Sequence, residues 1–354
     1  MSKILMKGNE AFGEGAVRAG CRFFFGYPIT PQSELPHYLA KRLPEVGGLY
    51  LQAESEVAAI NMVYGAAAAG ARVMTSSSSP GISLMQEGIS YIACSELPCV
   101  VVNIMRGGPG LGNIAPSQAD YFQAVKGGGH GDYKMPVFAP ASVQEIIDLV
   151  ELAFNLADKY RSPVMVVGDG ILGQMMEPVD LGPEPEIVLP SKPWAVTGTA
   201  GRNSRNIINS LYIEPERLEE VNLRLQAKYR QMERDEKRWE EYKTEDAAVV
   251  LVAFGVVARI AKAVVDRMRG NGKPVGLIRP ITLFPFPDIA LGKIASGPAK
   301  SFLVVEMNAG QMVEDVKLAV CGKRPVHFYG RTGGMLTTVA EIENQVEEVL
   351  EGLN

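Results

Sequence analysis

The chain has 354 residues, 47% of them hydrophobic, and its 35 Lys and Arg against 40 Asp and Glu leave a formal net charge of −5. That balance excludes disorder and collagen-like composition, and a length of about two ordinary domains suffices for a large buried core. With a mild acidic excess and no block of Lys and Arg, nucleic acid is excluded as a partner, because counterion release requires clustered cations.

Residues 1–20 carry Lys3, Lys7, Glu10, Glu14 and Arg18 where an export signal requires an unbroken apolar stretch. The longest apolar run, residues 247–258, is shorter than the roughly 20 residues a membrane-spanning helix needs. A soluble, cytoplasmic protein without membrane contact is expected. Over the first 170 residues short β-rich runs alternate with longer amphipathic stretches, the pattern of βαβ units around a parallel sheet. Strands are expected over residues 21–25 (CRFFF), 48–52 (GLYLQ), 72–76 (RVMTS), 99–105 (CVVVNIM) and 163–167 (PVMVV). Helices are expected over residues 31–42, 55–69, 83–94 and 143–159. In the last of these, Ser142 precedes Glu145 at capping-box spacing, and Ile146, Ile147, Val150, Ala153, Phe154 and Ala157 form one face.

Residues 177–193 are dense in proline and read as an extended connector. A charged stretch follows over residues 214–246, opened by Pro215 at a suitable first helical position. Leu218, Val221, Leu225, Tyr229 and Met232 recur at helical spacing, with Trp239 and Tyr242 expected to continue the same face. Its charges alternate in sign, which suits a solvated helix docking one stripe on a neighbour. A second α/β unit is expected: a strand over residues 248–254, a helix over 257–269 with Gly270 as its C-terminal cap, strands over 275–278 and 301–306, and a helix over 311–319.

Cys21, Cys94, Cys99 and Cys321 show no CxxC spacing, and His37, His130 and His327 lie far apart. Iron–sulfur, zinc and HExxH patterns are therefore missing, and no metal site is assigned to this chain. The run after Arg106 does not keep GxGxxG spacing and no Gly-Lys pair precedes Ser or Thr, so neither a dinucleotide fingerprint nor a P-loop is read. Gly168-Asp169-Gly170 is read as a strand-end turn.

Ligands of open parallel sheets bind beyond the carboxyl ends of the strands, and four such ends carry polar or glycine-rich sequence. The first is Gly26-Tyr27-Pro28-Ile29-Thr30-Pro31, which presents the Thr30 hydroxyl. The second places Glu54 and Glu56 at a helix start, where simple complementarity to the helix dipole also accounts for acidic residues. The third, Ser76 to Gly81, is either a hydroxyl-lined ligand loop or an ordinary serine-rich turn. The fourth sets Arg106 before a glycine run, fit for a ligand carboxylate or for a salt bridge to a loop carboxylate.

Taken together and in order, these segments resemble the alpha-type subunit of the 2-oxoacid:ferredoxin oxidoreductases, thiamine diphosphate enzymes that oxidatively decarboxylate 2-oxoacids to acyl-CoA. The likeness covers Tyr27 to Pro31, Glu54-Ser55-Glu56 with the GAAAAGA stretch, Ser79-Pro80-Gly81, Glu96-Leu97-Pro98 and Arg106-Gly107-Gly108-Pro109-Gly110. It continues through Arg279-Pro280-Ile281-Thr282 with the prolines after it, and through Glu306 to Met312. In the long stretch from Gln52 to Met85 and in KGGGHGDY (Lys126 to Tyr133) the chain is most similar to subunits for branched-chain 2-oxoacids such as 3-methyl-2-oxobutanoate. Relatives specific for 2-oxoglutarate share the same skeleton.

The resemblance implies a pyrimidine-side, parallel-sheet thiamine diphosphate-binding domain over residues 1–185, a connector and charged helix over 186–246, and a smaller transketolase C-terminal-like α/β domain over 247–354. It implies that Glu56 bonds N1′ of the aminopyrimidine, a contact that couples this carboxyl to formation of the reactive cofactor. It implies that Thr30 and Arg106 meet the substrate carboxylate, and that Tyr27, Ile29 and Gly81 shape the cofactor pocket. A beta-type partner is expected to hold the cofactor's diphosphate with magnesium and an iron–sulfur cluster, and gamma-type and ferredoxin-type subunits to serve coenzyme A and electron exit. The pyrimidine-side subunit of a lipoamide-linked 2-oxoacid dehydrogenase and an inactive docking scaffold are the competing readings.

Overall fold

The computed structural model describes residues 3–199, 201–202 and 204–353. The chain opens on β1 (Ile4–Lys7) and α1 (Gly8–Arg18), neither of which the sequence reading contained. It continues through β2 (Phe23–Gly26), α2 (Glu34–Glu45), β3 (Leu49–Gln52), α3 (Glu56–Ala68), β4 (Val73–Ser77), α4 (Ser79–Cys94) and β5 (Cys99–Met105). Next come α5 (Tyr121–Val125), β6 (Val137–Phe138), α6 (Val143–Tyr160), β7 (Pro163–Asp169), α7 (Gly170–Gln174) and β8 (Met176–Val179). The expected strands and helices of this half are present with displaced ends. Helix α4 begins at Ser79 instead of residue 83, because its Pro80 lies in the first turn, where a missing N–H costs nothing.

After the connector follow α8 (Pro215–Asp235), β9 (Trp239–Tyr242), β10 (Val249–Val252), α9 (Gly255–Gly270), β11 (Val275–Pro280) and β12 (Thr282–Phe284). The chain closes with α10 (Asp288–Ala295), β13 (Ser301–Glu306), α11 (Met312–Val320), β14 (Val326–Gly330) and α12 (Val339–Glu351). Val221, Leu225, Tyr229 and Met232 form the buried stripe of α8. Trp239 and Tyr242 do not continue that stripe. They lie in β9, antiparallel to β11, with Tyr242 opposite Leu277 and Trp239 opposite Pro280. The edge of β11 needs hydrogen-bonding partners, and Arg279 reaches across to Glu240 at 2.9 Å, so tertiary pairing overrides the helical spacing. Gly270 is likewise the last residue of α9 instead of its cap; Asn271 caps it and the left-handed turn falls on Gly272.

A seven-stranded sheet runs in the order β12-β6-β7-β5-β4-β2-β3, and a five-stranded sheet in the order β14-β13-β10-β11-β9. Both are parallel apart from one antiparallel edge strand each, β12 and β9. Strand β5 lies inside the larger sheet and is buried along its whole length, which is why its sequence is an apolar run interrupted only by Asn103. Helix α1 packs on α6 and α2, and α3 packs on α4. The two sheets are joined by more than the connector. Thr282 and Phe284 cross over to pair with Phe138 and Val137, and Gln118 hydrogen-bonds to Phe254 and Met307, just past the ends of β10 and β13. Among the described residues no helix is long and apolar enough to cross a membrane.

Candidate functional site

The carboxyl ends of β2, β3, β4 and β5 converge, because these strands are parallel and adjacent in register. After β2 the chain turns through Tyr27 to Thr30 and a cis Thr30–Pro31 bond. The turn is held from behind by the Asn9 side-chain amide, which donates to the Pro31 carbonyl at 2.8 Å. Tyr27 and Thr30 are exposed, and Ile29 is half-buried.

After β3, Ser55 caps α3 by accepting the Ala58 N–H at 3.2 Å, and Glu56 is the first helical residue. Glu54 is exposed whereas Glu56 is only 6% exposed, so the two neighbouring acids separate by burial. A carboxylate at this position is favoured by the helix dipole. Burial is costly for it unless a partner is supplied, and no group among the described residues hydrogen-bonds it.

The end of β4 explains what surrounds it. Thr75, Ser76, Ser77 and Ser78 are all fully buried, and the hydroxyls of Thr75, Ser77 and Ser78 lack a hydrogen-bond partner. Ser76 donates to the Gln32 side-chain Oε1 at 2.5 Å, leaving Gln32 Nε2 unpartnered as well. An ordinary serine-rich turn would expose and satisfy these groups; here they are a buried polar lining. Gly81, in the first turn of α4, completes the cradle. A Cβ there would stand 2.0 Å from Ser77 Oγ and 2.5 Å from Glu56 Oε1, so only glycine lets α4 come this close to the carboxylate.

Arg106 follows β5. Its guanidinium donates to the Thr30 carbonyl at 2.9 Å and to the Leu111 carbonyl at 3.2 Å, and its Nε is buried without a partner. It makes no salt bridge among the described residues, so its charge is left unneutralised at the rim, next to Thr30. The loop after it folds back on itself, Asn113 N–H donating to the Gly107 carbonyl at 2.9 Å. Its Gly112 has φ +54, with the Gly107 carbonyl so near that no side chain fits.

The structure thus brings Glu56, Gly81, Thr30 and Arg106 to one end of one sheet, with Tyr27 and Ile29 on the adjoining turn. The sequence reading singled out none of Gln32, Asn103 and Asp120. Asn103, a buried amide within an otherwise apolar strand, was the available signal. Asp169, by contrast, is committed to structure, accepting the Ile171 and Leu172 N–H groups at 2.8 and 3.0 Å to cap α7. Burial pushes its carboxyl up to about 6. Burial likewise pushes the Cys21 and Cys99 thiols up to about 12. Among the described residues no group of three or more His, Cys, Asp and Glu is placed to hold a metal ion.

Comparison with known proteins finds two matching family models. The family model described as "Pyruvate flavodoxin/ferredoxin oxidoreductase, thiamine diP-bdg" matches residues 14–245, and the "Pyruvate:ferredoxin oxidoreductase core domain II" model matches residues 247–342. The chain is 52% identical to the ketoisovalerate oxidoreductase subunit VorB of Methanothermobacter marburgensis, over 99% of this chain and 98% of that one. It is 39% identical to the 2-oxoglutarate synthase subunit KorA of Methanocaldococcus jannaschii, over 98% and 100% of the two chains. A solved 2-oxoglutarate:ferredoxin oxidoreductase from Magnetococcus marinus, with 2-oxoglutarate, coenzyme A and succinyl-CoA bound, superposes at a TM-score of 0.88 and 30% identity. That match covers 98% of this chain and 65% of the longer one. A split-gene transketolase at a TM-score of 0.63 and 15% identity shares the fold.

Proposed function

The chain belongs to the thiamine diphosphate-binding 2-oxoacid:ferredoxin oxidoreductase family and is a subunit of such an enzyme, and on that premise we propose that it supplies the pyrimidine-side half of an active site that decarboxylates branched-chain 2-oxoacids such as 3-methyl-2-oxobutanoate to acyl-CoA. The name of the 52%-identical relative supports the substrate class. The observation that carries the chemistry is the buried Glu56 carboxylate, hydrogen-bonded by no described residue, facing Gly81 beside the unpaired Ser77 hydroxyl.

That constellation fits an aminopyrimidine. It offers one carboxyl oxygen, the orphaned Ser77 hydroxyl and a glycine that leaves room beside them. Thiamine diphosphate, when bound, supplies the nucleophilic carbon and the electron sink for loss of carbon dioxide. Glu56 holds or releases a proton at its carboxyl oxygen toward the ring nitrogen. Thr30 and Arg106 orient the substrate carboxylate at the rim, where the guanidinium, paired with no protein carboxylate among the described residues, can form a charge-assisted contact. Tyr27, Ile29 and Gly81 shape the wall.

This chain offers no diphosphate and metal cradle among its described residues, and we assign that role to a beta-type partner carrying magnesium and an iron–sulfur cluster. Gamma-type and ferredoxin-type subunits complete coenzyme A use and electron transfer in a cytoplasmic hetero-oligomer. We divide the chain at residues 185 and 246, with the connector, α8 and the edge strand β9 of the smaller sheet between those points.

The test uses the assembled complex. Glu56→Gln should leave assembly intact and abolish exchange of the cofactor's C2 proton; normal exchange would remove Glu56 from the mechanism. Ferredoxin reduction across a panel of 2-oxoacids should favour branched-chain substrates, and a preference for 2-oxoglutarate would overturn the substrate assignment.

A further inference from the structure

Arg106 has a main-chain anchor as well as a side-chain one. Its N–H donates to Ser79 Oγ at 3.0 Å. Ser79 in turn donates its hydroxyl to Asp120 Oδ2 at 2.6 Å, and that same oxygen accepts the Asn103 side-chain amide at 2.9 Å. Asn103 Oδ1 accepts the Ser79 N–H at 3.1 Å, so the first residue of α4 is held from both sides.

The direction of the Ser79 proton matters. A carboxylate only accepts, so Asp120 draws the hydroxyl hydrogen toward itself and turns a lone pair of Ser79 Oγ toward the Arg106 N–H. Without that carboxylate the other acceptor in reach is the Arg106 carbonyl at 3.4 Å, and the hydroxyl is free to turn away from the N–H.

Asp120 is itself held by the smaller α/β unit. On its N-terminal side, Gln118 exchanges hydrogen bonds with the Met307 backbone at 3.0 and 3.1 Å, and Gln311 Nε2 donates to the Ala119 carbonyl at 2.7 Å. On its C-terminal side the Tyr121 hydroxyl donates to Asp315 at 2.6 Å. Glu306, buried under this junction, accepts the Met312 and Val313 N–H groups at 2.8 and 3.0 Å and fixes the turn that Gln118 grips.

We propose that Asp120 is a positioning residue for substrate binding: through the Ser79 hydroxyl it holds the Arg106 main chain, and so the guanidinium, against the Thr30 turn. The smaller unit thereby sets the carboxylate-binding arm of the larger one. This rests on the reading of Arg106 as the carboxylate partner, and the experiment separates the two.

In the assembled complex, binding of 2-hydroxy-3-methylbutanoate, a carboxylate without the reacting keto carbon, is measured by calorimetry alongside KM and kcat for 3-methyl-2-oxobutanoate. Asp120→Ala should weaken binding and raise KM by about tenfold while kcat falls by less than about threefold. Asp120→Asn, which retains an oxygen to accept both donors, should bind within about threefold of the unaltered chain. Adding Asp120→Ala to Arg106→Ala should produce no further loss, because both act through one contact. Ser79→Ala breaks the same link from the other side and should reproduce the tenfold change, which keeps the test decisive if Asp120→Ala does not assemble. Unchanged binding in Asp120→Ala or Ser79→Ala, with Arg106→Ala impaired, would overturn the proposal. Losses that multiply in the double variant would do the same, since a general loosening of the fold is then the cause. Unchanged binding in Arg106→Ala overturns the carboxylate reading and this inference with it.

Discussion

Gly81→Ala separates the stability of the fold from the geometry of the site. Position 81 is helical and without positive φ, so alanine is intrinsically favoured there by up to about 1 kcal/mol. The new Cβ, however, would lie 2.0 Å from Ser77 Oγ and 2.5 Å from Glu56 Oε1. The Ser77 hydroxyl can rotate away without losing a hydrogen bond, because it makes none. The Glu56 oxygen must retreat by roughly an ångström to reach ordinary van der Waals contact. Overpacking of this kind costs about 1–3 kcal/mol, partly offset by the helical gain, so a net loss of about 0–2 kcal/mol should lower the thermal midpoint by only a few degrees. Displacement of a catalytic group by about 1 Å costs on the order of a hundredfold in rate. In the assembled complex, C2 proton exchange of bound thiamine diphosphate should therefore slow by about that factor, while subunit composition and melting stay near those of the unaltered protein. Exchange at the normal rate in a correctly assembled Gly81→Ala complex would refute the claim that Glu56 acts from this cradle.

Arg106→Ala should raise KM for the 2-oxoacid by about 10- to 150-fold, the equivalent of one charge-assisted hydrogen bond, with a smaller effect on kcat; an unchanged KM in steady-state assays defeats the carboxylate role. Asp169 has a folded-state pKa raised from 3.8 to about 6 by burial, so the folded chain binds its proton more tightly than the unfolded chain does. Its contribution to stability is therefore greatest below about pH 4 and falls as pH rises through 6. Relative to Asp169→Asn, which keeps a capping oxygen, the unaltered chain should lose on the order of 3 kcal/mol between those limits, and parallel denaturation curves at pH 4 and 7 would contradict this. Glu306→Ala strands the buried N–H groups of Met312 and Val313 and should destabilise the chain by about 2–4 kcal/mol, read from urea unfolding; a loss below about 1 kcal/mol would show that the turn finds other acceptors.

Much of the scaffold was legible in the one-dimensional pattern. Near-continuous apolar runs marked β5 and β7 because both strands are buried along their whole length. The stripe from Val221 to Met232 marked α8 because one face of that helix meets the core. Local rules also located the four strand ends that converge at the candidate site, since turn and capping chemistry is written in adjacent residues. Nothing local distinguished Glu56 from Glu54, and dipole complementarity described both equally well. The family resemblance alone separated them in the sequence; the physical distinction is burial against Gly81, which depends on α4 packing on α3.

The same reason accounts for the misplaced Trp239 and Tyr242, whose helical spacing gave way to the hydrogen-bonding demand of an edge strand contributed by distant residues. It accounts for Asp120 as well, an unremarkable acid in a loop until Ser79 and Asn103 are brought to one of its oxygens. Amino-acid order set which segments became strands and helices and which of their ends were polar, because those properties rest on neighbours along the chain. Which acid is buried, which arginine stays unpaired and which loop is tied to the second sheet were decided only in three dimensions, where desolvation and hydrogen bonding join residues with no proximity in sequence.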